Sequence, residues 1–273
     1  MRRLRAALPL VLGAVLLAAG CGGGGGAASD PAAPLKVGVS PVPHAEILRY
    51  VADELAAGKG LEIEVVEFTD YVQPNTALID GSLDANYFQT VPYLDTVKAE
   101  NPDAADLSWI AGVHVEPLGL YSGKHQAVAD LPDGARIAVA NDATNGARGL
   151  KLLQDNGLIT LKAGTETTAT VRDVETNSKN FEFVELEAAQ LPRSLEDVDA
   201  AVVNGNYAID AGLKPADDAL VLEAAENNPN ANGLVTRSEL AGDQRIEDLA
   251  ELLASQQVKD YIEQNFSGSV LPV

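Results

Sequence analysis

Aromatic side chains are concentrated in one short stretch of a chain in which only 5% of the residues are aromatic. Four of them fall between Tyr71 and Tyr93, in segments that follow a predicted strand and a predicted helix. Aromatic rings offer a large, polarizable surface to an apolar or thioether side chain. Rings are also common in protein cores, so the pattern leaves a binding surface and core packing both open.

A second group of polar residues, Asn141–Arg148, lies where a predicted strand ends and a helix begins. A turn of this kind offers backbone N–H groups and the positive end of a helix dipole to an anion. Arg148 in the first helical turn opposes that dipole, so it needs another reason to be there. Bidentate binding of a carboxylate is one such reason. A surface ion pair with one of the many acidic residues is the other.

Asparagines at two further strand ends could complete a site for a zwitterion. Asn204 and Asn232 each stand beside glycine, where turn formation is the alternative explanation. An asparagine carbonyl accepts a hydrogen bond from an ammonium group, and its amide donates to a carboxylate. Together the three groups predict a site in which Arg148 binds a carboxylate, asparagines bind an ammonium group and aromatic rings enclose a side chain.

The chain lacks the sequence signatures of catalysis. It has no Gly-x-Ser-x-Gly motif, no phosphate-binding glycine loop before Lys-Ser/Thr and no Gly-x-Gly-x-x-Gly motif at a strand end. His44, His114 and His125 lie far apart in the sequence, and the one cysteine, Cys21, is not near them. This spacing is unlike that of zinc ligands. We therefore predict a binding protein with no catalytic residues, no metal and no cofactor.

Composition limits the class of partner. The chain has 273 residues, 46% of them hydrophobic, which is enough for one large domain or two lobes. Its formal net charge is −21. A surface this acidic repels phosphate backbones and anionic lipid headgroups, so the charge argues against nucleic-acid binding.

The N-terminus has the pattern of a secretion signal. A basic start, Met1–Arg5, precedes a short apolar run that ends in small residues, and residues 1–20 are predicted to be a signal peptide. The segment Leu17–Cys21 resembles a bacterial lipobox, which predicts lipidation of Cys21; an ordinary signal with an incidental cysteine is the alternative. Residues 21–34 are rich in glycine and alanine, as in a flexible tether. We expect a domain that is anchored to the cell membrane only by its lipid, on the extracytoplasmic face.

Two stretches of the chain have the same order of predicted elements. Strand, helix and strand follow one another from Leu35 to Val65, and a similar order restarts near Arg136. This order predicts an α/β fold with a mainly parallel sheet. A faint repeat, in which Asp84-Ala85 is echoed by Asp199-Ala200, favours two similar lobes. Ligands of such sheets bind outside the carboxyl ends of the strands.

At these residues the chain resembles the MetQ/NlpA family of lipoproteins. The matching stretches are VGVSPVPHAEIL (37–48), FTDYVQPNTALIDGSLDANYFQTVPYLD (68–95), NDATNGARGLKLLQ (141–154) and FVELEAAQLPRSLEDVDAAVVNGNYAIDAGL (183–213). The resemblance implies a two-lobed, type II-like periplasmic-binding-protein fold with a ligand cleft between the lobes. We expect residues 35–115 and 232–273 to form lobe 1 and residues 116–231 to form lobe 2.

The resemblance also implies a function and roles for individual residues. Members of the family capture methionine, here expected to be L-methionine, and deliver it to an ABC transporter permease. The implied roles are enclosure of the methionine side chain by Tyr71, Phe88 and Tyr93, binding of the carboxylate by Asn145 and Arg148, contact with the head group by Asn204, and a further contact by Asn232.

The ligand is left open by one departure from the family pattern. Thr90 stands where the family usually has a histidine beside the ligand, so this part of the pocket wall has more room. D-methionine, a methionine-containing dipeptide or another amino acid are therefore alternatives to L-methionine. Alternatives of other classes are a surface scaffold or adhesin lipoprotein that needs no small ligand, and an enzyme on a similar scaffold.

Overall fold

The structure is a computed structural model that describes residues 33–226 and 228–273. The predicted signal peptide, the predicted lipidation site Cys21 and nearly all of the predicted tether lie outside these residues. None of the helices in the described part has both the length and the apolar character needed to span a bilayer.

Strands and helices alternate along most of the described chain. The strands are β1 (Leu35–Val39), β2 (Ile63–Glu67), β3 (Ala85–Thr90), β4 (Leu107–Val115), β5 (Gly119–Tyr121), β6 (Arg136–Ala140), β7 (Thr160–Leu161), β8 (Val174–Thr176), β9 (Glu182–Leu186), β10 (Ala200–Val203), β11 (Val221–Leu222), β12 (Ala231–Arg237) and β13 (Leu271–Pro272). The α-helices are α1 (Glu46–Tyr50), α2 (Gln73–Ile79), α3 (Val91–Glu100), α4 (Ala143–Asp155), α5 (Leu191–Ser194), α6 (Gly205–Asp210), α7 (Pro215–Asp218), α8 (Gln244–Leu253) and α9 (Gln256–Phe266). Wider helical turns, Pro41–Ala45 and Val51–Leu55, flank α1 on both sides.

The strands form two principal sheets, as expected for a two-lobed fold. The first has the order β13-β4-β12-β3-β1-β2, and the second has the order β11-β5-β10-β6-β9. In the first sheet β1 pairs in parallel with β2 and β3, whereas β12 pairs antiparallel with β3 and β4. In the second sheet β6 pairs in parallel with β9 and β10, whereas β5 pairs antiparallel with β10 and β11.

The prediction of a mainly parallel sheet is therefore wrong. Each sheet has three parallel strands on one side, and the strands on its other side pair antiparallel. The strand–helix–strand units do form parallel pairs, because a crossover helix returns the chain to the same end of the sheet. Apart from β13, which follows α9, the antiparallel strands lie in the segments that connect one sheet with the other, and no helix separates β4 from β5 or β11 from β12.

The two sheets repeat one arrangement in detail. In the first, the Lys36 amide donates to the Asp84 carboxylate (2.9 Å) and the Asp84 amide donates to the Lys36 carbonyl oxygen (2.9 Å). In the second, Arg136 and Asp199 make the same pair of hydrogen bonds at the same distances. The faint Asp-Ala repeat in the sequence thus marks equivalent positions at the starts of β3 and β10.

Separate apolar clusters pack against the two sheets. In the first, Val37 of β1 is fully buried together with Ile47, Leu249 and Ile262 from the helices. In the second, Ile137 of β6 and other strand residues pack against α4, whose buried side chains recur at helical spacing. Burial of each such side chain stabilises the fold by about 1.5–3 kcal/mol. The paired sheets therefore hold the carboxyl ends of β3, β6 and β10 in fixed positions.

Candidate ligand-binding site

The eight residues predicted to bind a ligand all line one cavity. The eight residues are Tyr71, Phe88, Thr90, Tyr93, Asn145, Arg148, Asn204 and Asn232. They come from the ends of β3 and β10, from the first turn of α3, from the first two turns of α4, from the segment before α2 and from β12. Arg148 lies in the second turn of α4 and not, as predicted, in the first, because the helix begins at Ala143.

One wall of the cavity is aromatic. The ring of Tyr71 lies 6.0 Å from that of Phe88, 5.8 Å from that of Tyr93 and 4.9 Å from that of Tyr207. Phe88 is only 3% exposed, since every residue of β3 is buried. The Tyr93 hydroxyl donates to the Tyr71 carbonyl oxygen (3.1 Å), which ties α3 to the segment before α2. The rings therefore form a fixed surface that is apolar apart from their hydroxyl groups.

Thr90 joins this wall to the next element. It is the N-cap of α3, and its hydroxyl accepts a hydrogen bond from the Tyr93 amide (3.4 Å). A threonine at this position satisfies a helix amide that would otherwise lack a partner. Thr90 is 8% exposed and pairs in register with Asn232 on β12. This residue therefore orients Tyr93 and also lines the cavity.

Arg148 is in a salt bridge as well as in the cavity wall. Its Nε donates to Glu223 Oε1 (2.9 Å) and its Nη2 donates to Glu223 Oε2 (2.5 Å). The same Nη2 donates to the Glu116 carbonyl oxygen (3.0 Å). Of the two alternatives that the sequence left open, the ion pair with an acid of the protein is observed, although it is largely buried and not at the surface. Nη1 has no hydrogen-bond partner among the described residues, and the binding of a ligand carboxylate by Arg148 stays a prediction.

The expectation that the turn before α4 offers amides to an anion is wrong. The helix begins at Ala143, earlier than its apolar pattern predicts, and Asp142 is its N-cap. The Asp142 carboxylate accepts from the Asn145 amide (2.8 Å) and from Asn145 Nδ2 (3.0 Å). The protein itself therefore supplies the anion at this helix end, and burial raises the pKa of the Asp142 carboxyl.

Asn145 and Asn204 form a buried amide pair at the cavity. Asn204 Nδ2 donates to Asn145 Oδ1 (2.8 Å), and both residues are 7% exposed. Asn204 Oδ1 is buried and has no hydrogen-bond partner among the described residues. A buried acceptor without a donor is costly by roughly 1–3 kcal/mol. The cavity thus contains an acceptor that an incoming N–H group could satisfy.

Glu116 is the main residue of the cavity that sequence reasoning missed. It is 4% exposed, and its Oε1 lies 2.7 Å from His114 Nε2 and 3.2 Å from His44 Nε2. The Tyr87 hydroxyl lies 2.5 Å from His114 Nδ1, so His114 can donate to Glu116 through Nε2. Burial raises the pKa of the Glu116 carboxyl, although the charge of Arg148 opposes this shift. A buried carboxyl group therefore stands beside the guanidinium.

The interpretation that the histidines are too far apart to act together needs correction. The rings of His44 and His114 are 4.9 Å apart, and with Glu116 they form a group whose ligand atoms lie within 4.8 Å of one another. Burial lowers the pKa of His44 to about 4 and that of His114 to about 3, so both are neutral at pH 7. A hydrogen bond joins His114 to Glu116, and His44 Nε2 is hydrogen-bonded to Asn232 Oδ1 (3.2 Å). The prediction that no metal binds stays a prediction.

Three other cavity residues were also missed, namely Gln89, Gly205 and Asn206. A side chain at position 205 would not fit, since a Cβ atom there would lie 2.7 Å from Glu116 Cβ. Position 205 directly follows Asn204, which the sequence analysis singles out, so proximity was the available signal. No such signal marked Glu116 in the sequence, because one acid among 40 acidic residues does not stand out.

A two-lobed α/β fold around a cavity of aromatic, amide and charged side chains defines a substrate-binding protein of a transport system, and not an enzyme. Residues 35–273 match the family model described as NlpA lipoprotein, and the chain belongs to this family. The prediction from sequence motifs is thereby confirmed at the level of family and fold.

Relatives and a solved structure cover nearly the whole chain. The methionine-binding lipoprotein MetQ of Bacillus subtilis (strain 168) is 40% identical over 97% of this chain and 98% of its own length. The D-methionine-binding lipoprotein MetQ of Escherichia coli (strain K12) is 39% identical over 97% of this chain and 96% of its own. The structure of a nutrient binding protein from Burkholderia cenocepacia bound to methionine is 41% identical, with a TM-score of 0.84 over 87% of this chain and 99% of that one.

Proposed function

We propose that this protein captures L-methionine outside the cytoplasm and delivers it to the permease of an ABC transporter. The single observation that carries the proposal is the composition of the cavity. It combines an aromatic wall, a guanidinium edge that has no partner among the described residues, and a buried acceptor that also lacks one. These three features are complementary to the side chain, the carboxylate and the ammonium group of a free amino acid.

Opposite charges hold the head group of the ligand. The carboxylate accepts from Nη1 of Arg148, and the ammonium group donates to Asn204 Oδ1 and to Glu116. A charge-assisted hydrogen bond contributes about 1.5–3 kcal/mol. The charges across the cavity then alternate in sign, in the order Glu223, Arg148, ligand carboxylate, ligand ammonium group and Glu116. A ligand that lacks either charge would leave one buried group unpaired.

The aromatic wall favours a flexible, apolar side chain. Tyr71, Phe88 and Tyr93 present ring faces and edges about 6 Å apart. A thioether contacts such rings favourably, and its rotatable bonds let it fill an irregular space. Thr90 gives this wall a small polar side chain, and the relatives include both a methionine-binding and a D-methionine-binding lipoprotein. D-methionine, a methionine-containing dipeptide or another amino acid are the alternative ligands.

Closure of the two lobes over the ligand is the proposed mechanism, with no chemistry on the ligand. The lobes are residues 35–115 with 232–273, and residues 116–231. The hydrogen bonds that join them around the cavity include those from the Tyr71 hydroxyl to Asn206 Oδ1 (2.5 Å), from the Tyr207 hydroxyl to the Thr69 carbonyl oxygen (3.2 Å) and between the Thr144 and Thr96 hydroxyls (2.8 Å). Opening of the lobes would break these bonds and expose the cavity.

Anchoring and delivery complete the proposal. A lipid on Cys21 would hold the domain at the outer face of the cell membrane, and residues 21–34 would let it reach a permease. Relatives of this chain are named as membrane lipoproteins, among them the membrane lipoprotein TpN32 of Treponema pallidum (strain Nichols), 40% identical over 85% of this chain and 85% of its own. The family membership supports a transport role.

The direct test is a thermal shift of the chain from residue 22 onward, after unfolding and refolding to remove any bound ligand. A ligand at about 100 times its dissociation constant adds roughly 2.7 kcal/mol of stability. We expect L-methionine to raise the melting temperature more than any other member of a panel of D- and L-amino acids and methionine-containing dipeptides. A rise with another compound and none with L-methionine would refute the proposed ligand. A panel without any effect would favour a scaffold lipoprotein.

A further inference from the structure

A second cavity shares Arg148 with the ligand site. Arg148 lines both cavities, whereas Glu223 lines only the second. The second cavity is the larger of the two, and its other lining residues include Pro92, Lys151 and Asn230. The ion pair between Arg148 and Glu223 therefore stands in the partition between the two spaces.

Glu223 is held firmly in this partition. Its Oε2 accepts from the Leu118 amide (3.2 Å) as well as from Arg148 Nη2 (2.5 Å). Its Oε1 accepts from Arg148 Nε (2.9 Å) and lies 3.5 Å from Asn230 Nδ2. Its own amide donates to the Leu118 carbonyl oxygen (2.8 Å). The Arg148 and Glu223 side chains are only 11% and 19% exposed.

These contacts determine how Arg148 faces the ligand. The guanidinium is planar, so the hydrogen bonds of Nε and Nη2 fix the orientation of the whole group. Nη1 then points away from Glu223. Nη2 is fixed a second time by the Glu116 carbonyl oxygen. A ligand carboxylate therefore meets one preset edge of Arg148, and the carboxylate of Glu223 lies behind that edge.

We propose that Glu223 is a positioning and specificity-determining residue, which makes the site select a free α-carboxylate over a ligand extended at its carboxyl end. This inference rests on the proposed function, since it takes Arg148 as the carboxylate partner. With Glu223 in place, the ligand must end at the ion pair. Without it, Arg148 loses its fixed orientation and a passage opens into the second cavity, where an extension of the ligand can lie.

The experiment compares L-methionine with L-methionyl-glycine by calorimetric titration of the refolded protein and its variants. Glu223→Ala removes both the anchor and the partition, whereas Glu223→Gln keeps the bulk of the side chain and removes its charge. Glu226→Ala is the matched control, because Glu226 is an exposed acid of the same segment that lines the second cavity and not the ligand site. Melting curves establish that each variant folds.

In Glu223→Ala we expect the dissociation constant for L-methionine to be at least tenfold higher, which corresponds to a loss of about 1.4 kcal/mol of binding free energy. The ratio of the dissociation constants for L-methionyl-glycine and L-methionine should fall at least tenfold. In Glu223→Gln the affinity for L-methionine should fall while the dipeptide is still rejected. Glu226→Ala should bind both ligands as the wild type does.

Several results would overturn the inference. Unchanged or tighter binding of L-methionine by both Glu223 variants would show that Glu223 does not position Arg148. An unchanged ratio in Glu223→Ala, with folding intact, would show that the ion pair does not exclude the extended ligand. If the wild-type protein binds L-methionine, either result refutes this inference alone. A wild-type protein that binds no form of methionine would refute the proposed function and this inference together.

Discussion

Replacement of Arg148 by alanine is the sharpest test of the proposed head-group site. The side chain has one guanidinium edge that points away from its protein partners, and a ligand carboxylate would accept a charge-assisted hydrogen bond from it. Such a bond contributes about 1.5–3 kcal/mol, which converts into a roughly 10- to 150-fold weaker dissociation constant. We therefore expect Arg148→Ala to weaken L-methionine binding by well over tenfold.

The same replacement also affects folding, and the two effects can be separated. Arg148→Ala leaves the partly buried carboxylate of Glu223 without its guanidinium partner, although the Leu118 amide still donates to it. Glu223 is partly exposed, so solvent screens this loss, and we expect a decrease in the free energy of unfolding of about 1 kcal/mol. The double variant Arg148→Ala, Glu223→Ala should regain part of this stability but none of the affinity.

Calorimetric titration after refolding measures the affinity, and urea unfolding measures the stability. Lys151→Ala is the matched control, because Lys151 is a basic residue of the same helix that does not line the ligand site and pairs with Asp155 at the surface. The control should bind L-methionine with the wild-type dissociation constant. An Arg148→Ala protein that folds and binds within twofold of wild type would refute the assignment of Arg148 to the carboxylate.

Three further predictions concern the other parts of the site. Glu116→Gln keeps the shape of the side chain and removes its charge, so it should weaken L-methionine binding about tenfold or more in the same titration. Tyr207→Phe removes the hydrogen bond to the Thr69 carbonyl oxygen and should raise the dissociation rate roughly two- to tenfold in surface plasmon resonance. The free energy of unfolding, measured in urea, should fall as the pH drops from 6.5 to about 4. Burial lowers the pKa of His44 to about 4, so in this pH range the unfolded chain binds a proton that the folded chain excludes. His44→Gln should reduce this dependence.

Each of these predictions has a result that would contradict it. Wild-type affinity in Glu116→Gln would remove Glu116 from the ammonium site. An unchanged dissociation rate in Tyr207→Phe would show that the hydrogen bond to Thr69 does not hold the lobes together. For His44, the lowered pKa fixes the sign of its own contribution, so a His44→Gln variant with the wild-type pH dependence would contradict the buried neutral state.

Much of the site was predictable because its residues stand at strand ends. Phe88 and Thr90 end β3, and Asn204 directly follows β10. The carboxyl ends of parallel strands lie at one edge of a sheet, so polar and aromatic residues found there in the sequence come together in the fold. Motif resemblance then assigned roles that residue types alone left open. The structure brings these residues to one cavity, and their roles as ligand contacts stay predictions.

The charged partners of the site could not be predicted from the sequence. Glu223 contacts Arg148 across 75 positions, and Glu116 contacts His44 across 72. No local periodicity encodes contacts of this length, and the chain contains 40 acidic residues that could each have been the partner. The helix start at Ala143 was missed for a different reason. Asn145 and Arg148 line the cavity, so these early positions of the helix are polar and the apolar pattern begins later than the helix does.

The repeat between the two sheets explains why a single cavity collects these residues. Asp84 and Asp199 receive equivalent hydrogen bonds, which places β3 and β10 at equivalent positions beside β1 and β6. β3 ends in Phe88 and Thr90, and Asn204 directly follows β10, so two similar units present the same edge to one space. The units are not identical where they meet the cavity: the rings come from the first unit, and the guanidinium comes from the second. A site divided in this way is complete only when both units face each other, so ligand affinity and lobe closure should change together in the variants described above.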